Sequence, residues 1–203
     1  MTTVQAPAAP QTTLQARLRL RPCVAADAEL LHSIYAATRE QELAQWPLSA
    51  EQKAEFLRMQ SHAQQTHYQA HYARASFCCV ELDGQVIGRL YVLRTPGETH
   101  LMDISLLPAW RGQGWGTMLM ERLLDEARSA DVALTAHVAI DNLARHWYAR
   151  LGFHDTEDLG PYVAIAIRPD QHSPQHGYSV PSGAICPLSQ SNTEIPHVST
   201  FSG

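Results

Sequence analysis

The alternation of apolar and polar residues predicts a strand at residues 18–21, followed by two helices. Asp27 and Glu29 favour the first turn of the first helix, which ends near Trp46. Its apolar residues recur at helical spacing: Leu30, Leu31, Ile34 and Tyr35. Ser49 and Gln52 form a capping box, which predicts a second helix running to about residue 72 with only a thin apolar stripe.

The rest of the chain alternates between strand and helix patterns. Residues 77–82 and 86–93 predict a hairpin around Asp83-Gly84, and a strand follows at 99–107. The next helix carries an apolar stripe: Trp115, Met118, Leu119, Leu123 and Ala127. Residues 132–138 predict a strand, 142–151 a helix, and the alternating residues Val163, Ile165 and Ile167 a last strand. This order predicts an α+β fold: a mixed sheet with helices on both faces.

Length and composition indicate one domain with two tails. A chain of 203 residues with 45% hydrophobic and 17% charged residues suits a single folded domain, which we assign to residues 17–169. Residues 1–16 are rich in Thr, Gln, Ala and Pro, and residues 170–203 in Ser, Pro, His and Gln. Both segments have too little apolar content to offset the entropy of ordering, so we expect disordered tails.

Several function classes are disfavoured by charge and motif content. A net charge of −5, without a basic stripe, argues against nucleic-acid binding. The sequence has neither an 18-residue apolar run nor a signal-peptide pattern, so we expect a cytoplasmic protein without a membrane partner. The cysteines lack C-x-x-C spacing and are expected to be structural thiols: Cys23, Cys78, Cys79 and Cys186. The histidines of the second helix lack the H-E-x-x-H pattern, so no metal is predicted: His62, His67 and His71.

The stretch from Leu106 to Thr117 joins an apolar strand to a helix through alternating glycines. Glycines let a backbone approach a ligand closely, and the following helix directs unpaired N–H groups to the same point, so the loop suits a phosphorylated ligand. It lacks the Gly-Lys-Ser/Thr of a P-loop. Its Gly-x-Gly-x-Gly spacing in mid-chain also differs from the dinucleotide fingerprint.

Arg111, Gly114 and Gly116 form an Arg-x-x-Gly-x-Gly signature that resembles the GNAT (Gcn5-related) N-acetyltransferases. A second stretch, residues 141–153, is similar to the family's other hallmark: an Asn near the start of a short helix, an aromatic-Tyr pair, and a closing Gly-Phe. The resemblance covers about residues 18–168. It implies a sheet of six or seven mostly antiparallel strands, with a V-shaped splay between strands 4 and 5.

The resemblance implies that acetyl-CoA binds in that splay. Its pantetheine arm would pair with backbone groups of Ile104, Ser105 and Leu106, and the Leu106 N–H would face the thioester carbonyl. The pyrophosphate would meet main-chain N–H groups of the loop: Arg111, Gly112, Gln113, Gly114, Trp115, Gly116 and Thr117. Trp115 is expected to pack beneath that loop. Asn142 is the expected coenzyme contact of the second motif, although Asp141 could fill that position or cap the helix.

In the implied chemistry the acceptor amine loses a proton and the leaving thiolate gains one. Tyr148 is the candidate general acid. Asp103 is the nearest carboxylate on the slot-forming strand, but alternation sets it opposite Ile104 and Leu106 unless a bulge intervenes. His137 is a rival base, and the glutamate of some relatives corresponds to Ala136. A water chain or an unassisted amine is also open.

The resulting interpretation is an acetyl-CoA-dependent N-acetyltransferase, acting by direct transfer on a primary amine of a small molecule, peptide or protein. The alternative is a non-catalytic module of the same fold that senses acyl-CoA or binds a protein, and a larger acyl donor is a third option. The sequence does not determine the acceptor or the oligomeric state, and a homodimer is one possible state. Charged residues near the end of the first helix could select the acceptor or form a solvated face: Arg39, Glu40 and Glu42.

Overall fold

The computed structural model describes residues 17–168. The predicted tails at 1–16 and 170–203, and Cys186, lie outside these residues. The strands are β1 (Leu18–Pro22), β2 (Ser76–Leu82), β3 (Gln85–Arg94), β4 (Glu98–Leu106), β5 (Ala133–Ala139), β6 (His154–Asp158) and β7 (Tyr162–Ile167). The helices are α1 (Ala28–Ala44), α2 (Ala50–His71), α3 (Trp115–Ser129) and α4 (Arg145–Arg150), with short 3-10 turns at Ala25–Asp27 and Pro108–Trp110.

The seven strands form one sheet in the order β1-β2-β3-β4-β5-β7-β6. Every neighbouring pair is antiparallel except β4 and β5, which run parallel. The turn between β2 and β3 holds Asp83 and Gly84 at positive φ values of 50° and 80°, as a tight hairpin requires. The predicted mixed sheet and the predicted hairpin are therefore confirmed.

Helices cover both faces of the sheet. Val80 belongs to the main core with Leu119 and Leu123 of α3, whereas its neighbour Cys79 packs with Leu31 and Ile34 of α1. Because successive strand residues point to opposite faces, α3 and α1 lie on opposite sides, and so do Cys78 and Cys79. We call these the α3 face and the α1 face.

The capping box of α2 is present as predicted. The Gln52 amide donates to the Ser49 hydroxyl at 3.2 Å, and the Ser49 amide donates to the Gln52 side chain at 2.8 Å. None of the residues of α2 is buried, which agrees with its thin apolar stripe. No helix among residues 17–168 is long and apolar enough to cross a membrane.

The predicted helix at 142–151 is wrong at its beginning, because α4 begins only at Arg145. Asn142 lies in the preceding turn, where its side-chain oxygen accepts from the Ala144 amide at 2.8 Å. Asp141 therefore does not cap the helix. The residue at the N-cap position is Ala144, and its side chain makes no capping bond.

Gly88 of β3 lies unusually close to the neighbouring strand β4. A Cβ atom there would lie 2.3 Å from the Ser105 carbonyl oxygen and 2.6 Å from a Leu106 methyl group. Real Cβ contacts are longer, so Gly88→Ala must push β3 and β4 apart. We expect it to lower stability by about 1–3 kcal/mol, a fall in Tm of roughly 2–12 °C.

Thermal unfolding of Gly88→Ala beside Gly97→Ala measures this effect. A Cβ at Gly97 meets nothing within 4 Å, so this control should unfold close to the wild type. Equal Tm values for the two variants would contradict the close approach.

Candidate active site

The parallel pair β4–β5 separates part of the way along its length. Pairing joins Glu98–Leu101 of β4 to residues 133–136 of β5, and the last partners are Leu101 and Ala136. Beyond this point β4 continues to Leu106 beside β3, and β5 continues to Ala139 beside β7. The predicted V-shaped slot is therefore present, and we call its closed end, at Leu101 and Ala136, the vertex.

Backbone amides of β4 are directed into the slot. The Leu107 amide donates to the Ile87 carbonyl of β3 at 2.9 Å. Because successive amides along a strand point to opposite edges, the Leu106 amide is directed away from β3, to the slot. The Leu106 carbonyl points the same way and accepts from the Arg111 guanidinium at 2.8 Å. The slot thus offers the Leu106 amide as a donor to a ligand that carries amide carbonyls.

A bulge in β4 determines which of its side chains lie on each face of the sheet. In the register of β3 with β4, Tyr91 pairs with Asp103 but Val92 pairs with Leu101, which leaves Met102 as a bulge. The bulge allows Leu101 and Ile104, three residues apart, to share the main core on the α3 face. Asp103 and Ser105 then lie on the α1 face, opposite Ile104 as alternation predicts.

The glycine loop presents open backbone at the start of α3. Gly112 and Gly114 have positive φ values of 71° and 87°, and a Cβ on either would meet nothing within 4 Å. Gly114 is the N-cap of α3, so the first amides of this helix have no helical partners. Gly116 differs, because its Cβ position lies 3.8 Å from Trp147 and 3.9 Å from Leu106. Open glycine backbone at a helix N-terminus is an arrangement that suits an anion.

Side chains tie the loop to its surroundings. The Arg111 guanidinium also donates to the Ala37 carbonyl of α1 at 3.1 Å, so this cation joins the loop to α1. Gln113 donates to the Ala109 carbonyl at 2.7 Å, and the Trp115 indole donates to Gln113 at 3.4 Å. Trp115 is partly buried and packs against the main core.

Tyr148 lies on α4 and belongs to the main core. Its side chain is 8% exposed and packs on Trp147 and Phe153, with ring centroids at 4.8 and 5.5 Å. The Trp147 indole donates to the Thr117 hydroxyl at 3.2 Å, which fixes α4 against the first turn of α3. Burial, and then the nearby charge of Asp103, raise the pKa of Tyr148 above its ordinary value. Its phenol therefore stays protonated at neutral pH, and it makes no hydrogen bond to any residue in the range 17–168.

Asp103 is held by a buried cation. Arg89, only 3% exposed, donates to its two carboxylate oxygens at 2.7 and 3.3 Å, and the Ser105 hydroxyl donates at 2.6 Å. Arg89 also donates to Gln64 of α2 at 3.0 Å and lies 5.8 Å from the centre of the Tyr35 ring. The carboxylate proposed from sequence as a base is thus occupied by three donors, which favours a positioning role.

A second polar group lies beside the vertex on the α1 face. The His100 ring contacts the ring of His137, with centroids 4.8 Å apart, and its Nδ1 lies 2.8 Å from the Thr135 hydroxyl. Thr135 donates in turn to Glu98 at 2.8 Å. Sequence analysis found His137 but missed His100. The available signal was the alternation of Glu98 and His100 on the slot-forming strand.

The remaining sequence candidates are engaged elsewhere. Arg39 donates to both oxygens of Glu42 at 2.7 Å and to the Tyr35 hydroxyl at 3.1 Å, as expected of a solvated helix face. The rings of His67 and His71 lie 4.3 Å apart on α2. Within residues 17–168, no three His, Cys, Asp or Glu side chains group closely enough to hold a metal ion.

This sheet, open between two parallel strands and followed by a glycine loop at a helix N-terminus, defines the class of acyl-CoA N-acyltransferase folds. The profile of the Acetyltransferase (GNAT) family matches residues 31–153, and the chain belongs to that family. The chain is also similar to the PaiA N-acetyltransferase of Thermoplasma acidophilum, solved in complex with coenzyme A. That likeness has a TM-score of 0.57 at 15% identity, covering 74% of this chain and 98% of the other.

Two curated relatives show sequence similarity. An uncharacterized N-acetyltransferase of Methanocaldococcus jannaschii is 31% identical over 91 residues, which is 42% of this chain and 57% of the relative. The ribosomal protein bS18-alanine N-acetyltransferase of Haemophilus influenzae is 29% identical over 76 residues, 37% of this chain and 52% of the relative. The chain therefore spans about half the length of the curated relatives it matches.

Proposed function

We propose that this protein transfers an acetyl group from acetyl-CoA directly to a primary amine of a small molecule, peptide or protein. The observation that carries the proposal is the combination of an open glycine loop at Gly112 and Gly114, a slot-facing amide at Leu106 of β4, and a buried, protonated Tyr148. Membership of the GNAT family supports the same chemistry.

The donor site rests on main-chain groups. Loop amides from residue 112 to residue 117 would hold the pyrophosphate, with the α3 N-terminus adding its favourable dipole. The backbone groups of Ile104 and Leu106 would pair with the amides of the pantetheine arm. Those of Ser105, the third residue expected there, face β3 instead. The thioester supplies an activated acetyl carbon. In our proposal the Leu106 N–H would stabilise the negative charge that develops on the thioester carbonyl oxygen. One such donor lowers the activation barrier by ~2.7–4 kcal/mol in other enzymes.

Three further residues would complete this site: Arg111, Asn142 and Asp103. Arg111 can offer charge to the pyrophosphate only by loosening its bonds to the Leu106 and Ala37 carbonyls. Asn142 would contact the coenzyme from the turn before α4, where its side-chain NH₂ group is the part not used in the bond with Ala144. Asp103 would serve as a positioning residue for this side of the slot.

Tyr148 would protonate the leaving thiolate. A phenol in a buried site keeps its proton at neutral pH and would donate it to the sulfur as negative charge develops on the departing thiolate. The main-chain amides of the loop and of β4 would equally suit a module that binds acyl-CoA without turnover. Tyr148 is therefore the feature that favours an enzyme.

Calorimetric titration with acetyl-CoA and coenzyme A tests the donor site, with a nicotinamide dinucleotide as control. We expect micromolar binding of the first two ligands and none of the third. An acceptor panel then follows thioester loss by chromatography, using a peptide that begins with alanine, a lysine peptide and spermidine. The alanine peptide is included because of the Haemophilus influenzae relative. Absence of coenzyme binding would overturn the proposal.

A further inference from the structure

Two cysteine side chains meet on the α1 face at the end of β1. The sulfur atoms of Cys23 and Cys79 lie 3.4 Å apart, and both cysteines are free thiols. Cys79 lies on β2, and Cys23 follows β1 directly, where its amide donates to the Phe77 carbonyl at 2.9 Å. Cys79 is opposite Arg21 in the register of β1 with β2, so the two cysteines share one face. The sequence predicted structural thiols, and this contact indicates a chemical role as well.

The contact is close to what a disulfide requires. An S–S bond is about 2.03–2.05 Å long, so the two sulfurs would have to approach each other by about 1.4 Å. Cys23 and Val24 connect Pro22, the last residue of β1, to the 3-10 turn that begins at Ala25. The backbone that must adjust is therefore short and lies outside the sheet. Cys78, the other cysteine of β2, points to the opposite face, so its thiol is directed away from this contact.

The two thiols differ in exposure and in pKa. Cys23 is half-buried, whereas Cys79 is 0% exposed. The Cys79 thiol donates to the Cys23 sulfur and lowers the pKa of Cys23, and the Tyr91 hydroxyl acts in the same direction. Burial, Cys78 and Asp27 oppose that shift. The same sulfur contact, and then burial, raise the pKa of Cys79. Cys23 is therefore the accessible thiol that ionises first, with a protonated thiol beside it.

We propose that Cys23 and Cys79 form a modification site, at which a hydroperoxide converts the thiol pair into a reversible disulfide. With hydrogen peroxide, the Cys23 thiolate attacks one oxygen, the O–O bond breaks, and Cys23 becomes a sulfenic acid while the second oxygen leaves as water. The Cys79 sulfur then attacks the Cys23 sulfur, the S–O bond breaks, and the hydroxyl leaves with the Cys79 proton as a second water. The two thiols lose two electrons and two protons in total, and the peroxide gains them.

Mass spectrometry of the reduced full chain before and after hydrogen peroxide tests the proposal. We expect a loss of about 2 Da, the two hydrogens of the thiols, which dithiothreitol reverses by exchange. Trypsin does not cut before Pro22, so it should release one linked pair of peptides: residues 20–39, with Cys23, and residues 75–89, with Cys78 and Cys79. A single-cysteine reference peptide in the same solution confirms that the peroxide is active. A chain that keeps its thiols there, or that links Cys23 to Cys78 or Cys186, would overturn the proposal.

Cys78→Ala is the matched control for Cys79→Ala, because each removes a buried thiol from β2. Cys78→Ala should still form the cross-link. Cys79→Ala should lose it and stop at the Cys23 sulfenic acid, which dimedone traps, and Cys23→Ala should give neither product. Circular dichroism establishes that each variant is folded. If Cys79→Ala does not fold, fragment ions that separate Cys78 from Cys79 in the wild-type linked peptide identify the bonded sulfur.

The pH profile of Cys23 alkylation by iodoacetamide tests the assigned order of ionisation. We expect a midpoint below the ordinary thiol pKa of about 8.5 in Cys78→Ala, and a higher midpoint in Cys79→Ala, which has lost the donor to the thiolate. Equal midpoints in the two variants would contradict the role given to Cys79. None of these measurements requires coenzyme binding or turnover, so their outcome is independent of the proposed function.

Discussion

Gly114→Glu is expected to abolish binding of acetyl-CoA and coenzyme A, with a loss of affinity of about 100-fold or more, which corresponds to ~2.7 kcal/mol. Gly114 lies in the left-handed region at φ 87°, and the space at its Cβ position is empty. A glutamate there would fill the space assigned to the pyrophosphate and add a negative charge beside it. Calorimetric titration of the purified variant measures the effect.

Gly84→Glu is the matched control for this variant. Gly84 also has a left-handed φ, 80°, and an empty Cβ position, but it lies in the β2–β3 hairpin. Both variants therefore carry similar backbone strain and the same added charge. We expect Gly84→Glu to bind coenzyme A normally. Normal binding by Gly114→Glu would instead show that the loop serves only packing.

Tyr148→Phe is expected to reduce kcat/KM by about 100- to 10,000-fold while coenzyme affinity stays nearly unchanged. The phenol makes no hydrogen bond within residues 17–168, so its removal should cost little stability. Because burial raises the pKa of Tyr148, the acid form persists through neutral and mildly alkaline pH. The wild-type rate should therefore not fall from ionisation of this residue below about pH 10.

Paired measurements of turnover and coenzyme binding separate the possible outcomes for Tyr148. Tyr72→Phe, a half-buried tyrosine just after α2, is the control for loss of a phenol and should leave turnover intact. Lost turnover with retained binding supports the acid role. If Tyr148→Phe has no effect because the wild type shows no turnover with any acceptor, the acyl-CoA sensor is the better description.

Periodicity and turn chemistry predicted most elements, because those signals are local. The Ser49–Gln52 capping box and the Asp83-Gly84 turn each depend on residues within a few positions of one another. The error at α4 has the same origin. Asn142 and Asp141 are both good capping residues, yet the chain uses Asn142 to close a turn at Ala144 one step before the helix. β6 was not predicted from the sequence, because all its residues are exposed and give no apolar alternation.

Site geometry depended on contacts between distant residues, which a single sequence does not encode visibly. The Met102 bulge follows from how β4 packs against β3, and the contact of His100 with Thr135 follows from the parallel pairing of β4 with β5. The ion pair between Asp103 and Arg89 joins β4 to β3. In the sequence these are two charged residues with no pattern that marks them as partners. The motifs predicted the glycine loop and the helix after it, because glycine spacing and helical periodicity are local signals. The ligand of this loop stays a prediction.

The indole of Trp147 donates to Thr117 in the first turn of α3, and Trp115 begins that helix. Trp110 lies in the short turn just before the loop, so three of the four tryptophans of this chain surround it. The fourth, Trp46, packs on Phe56 of α2, with ring centroids 5.3 Å apart. Most of the tryptophan fluorescence of this protein therefore comes from side chains around the glycine loop. Ligand binding to the loop should change that fluorescence without any added label.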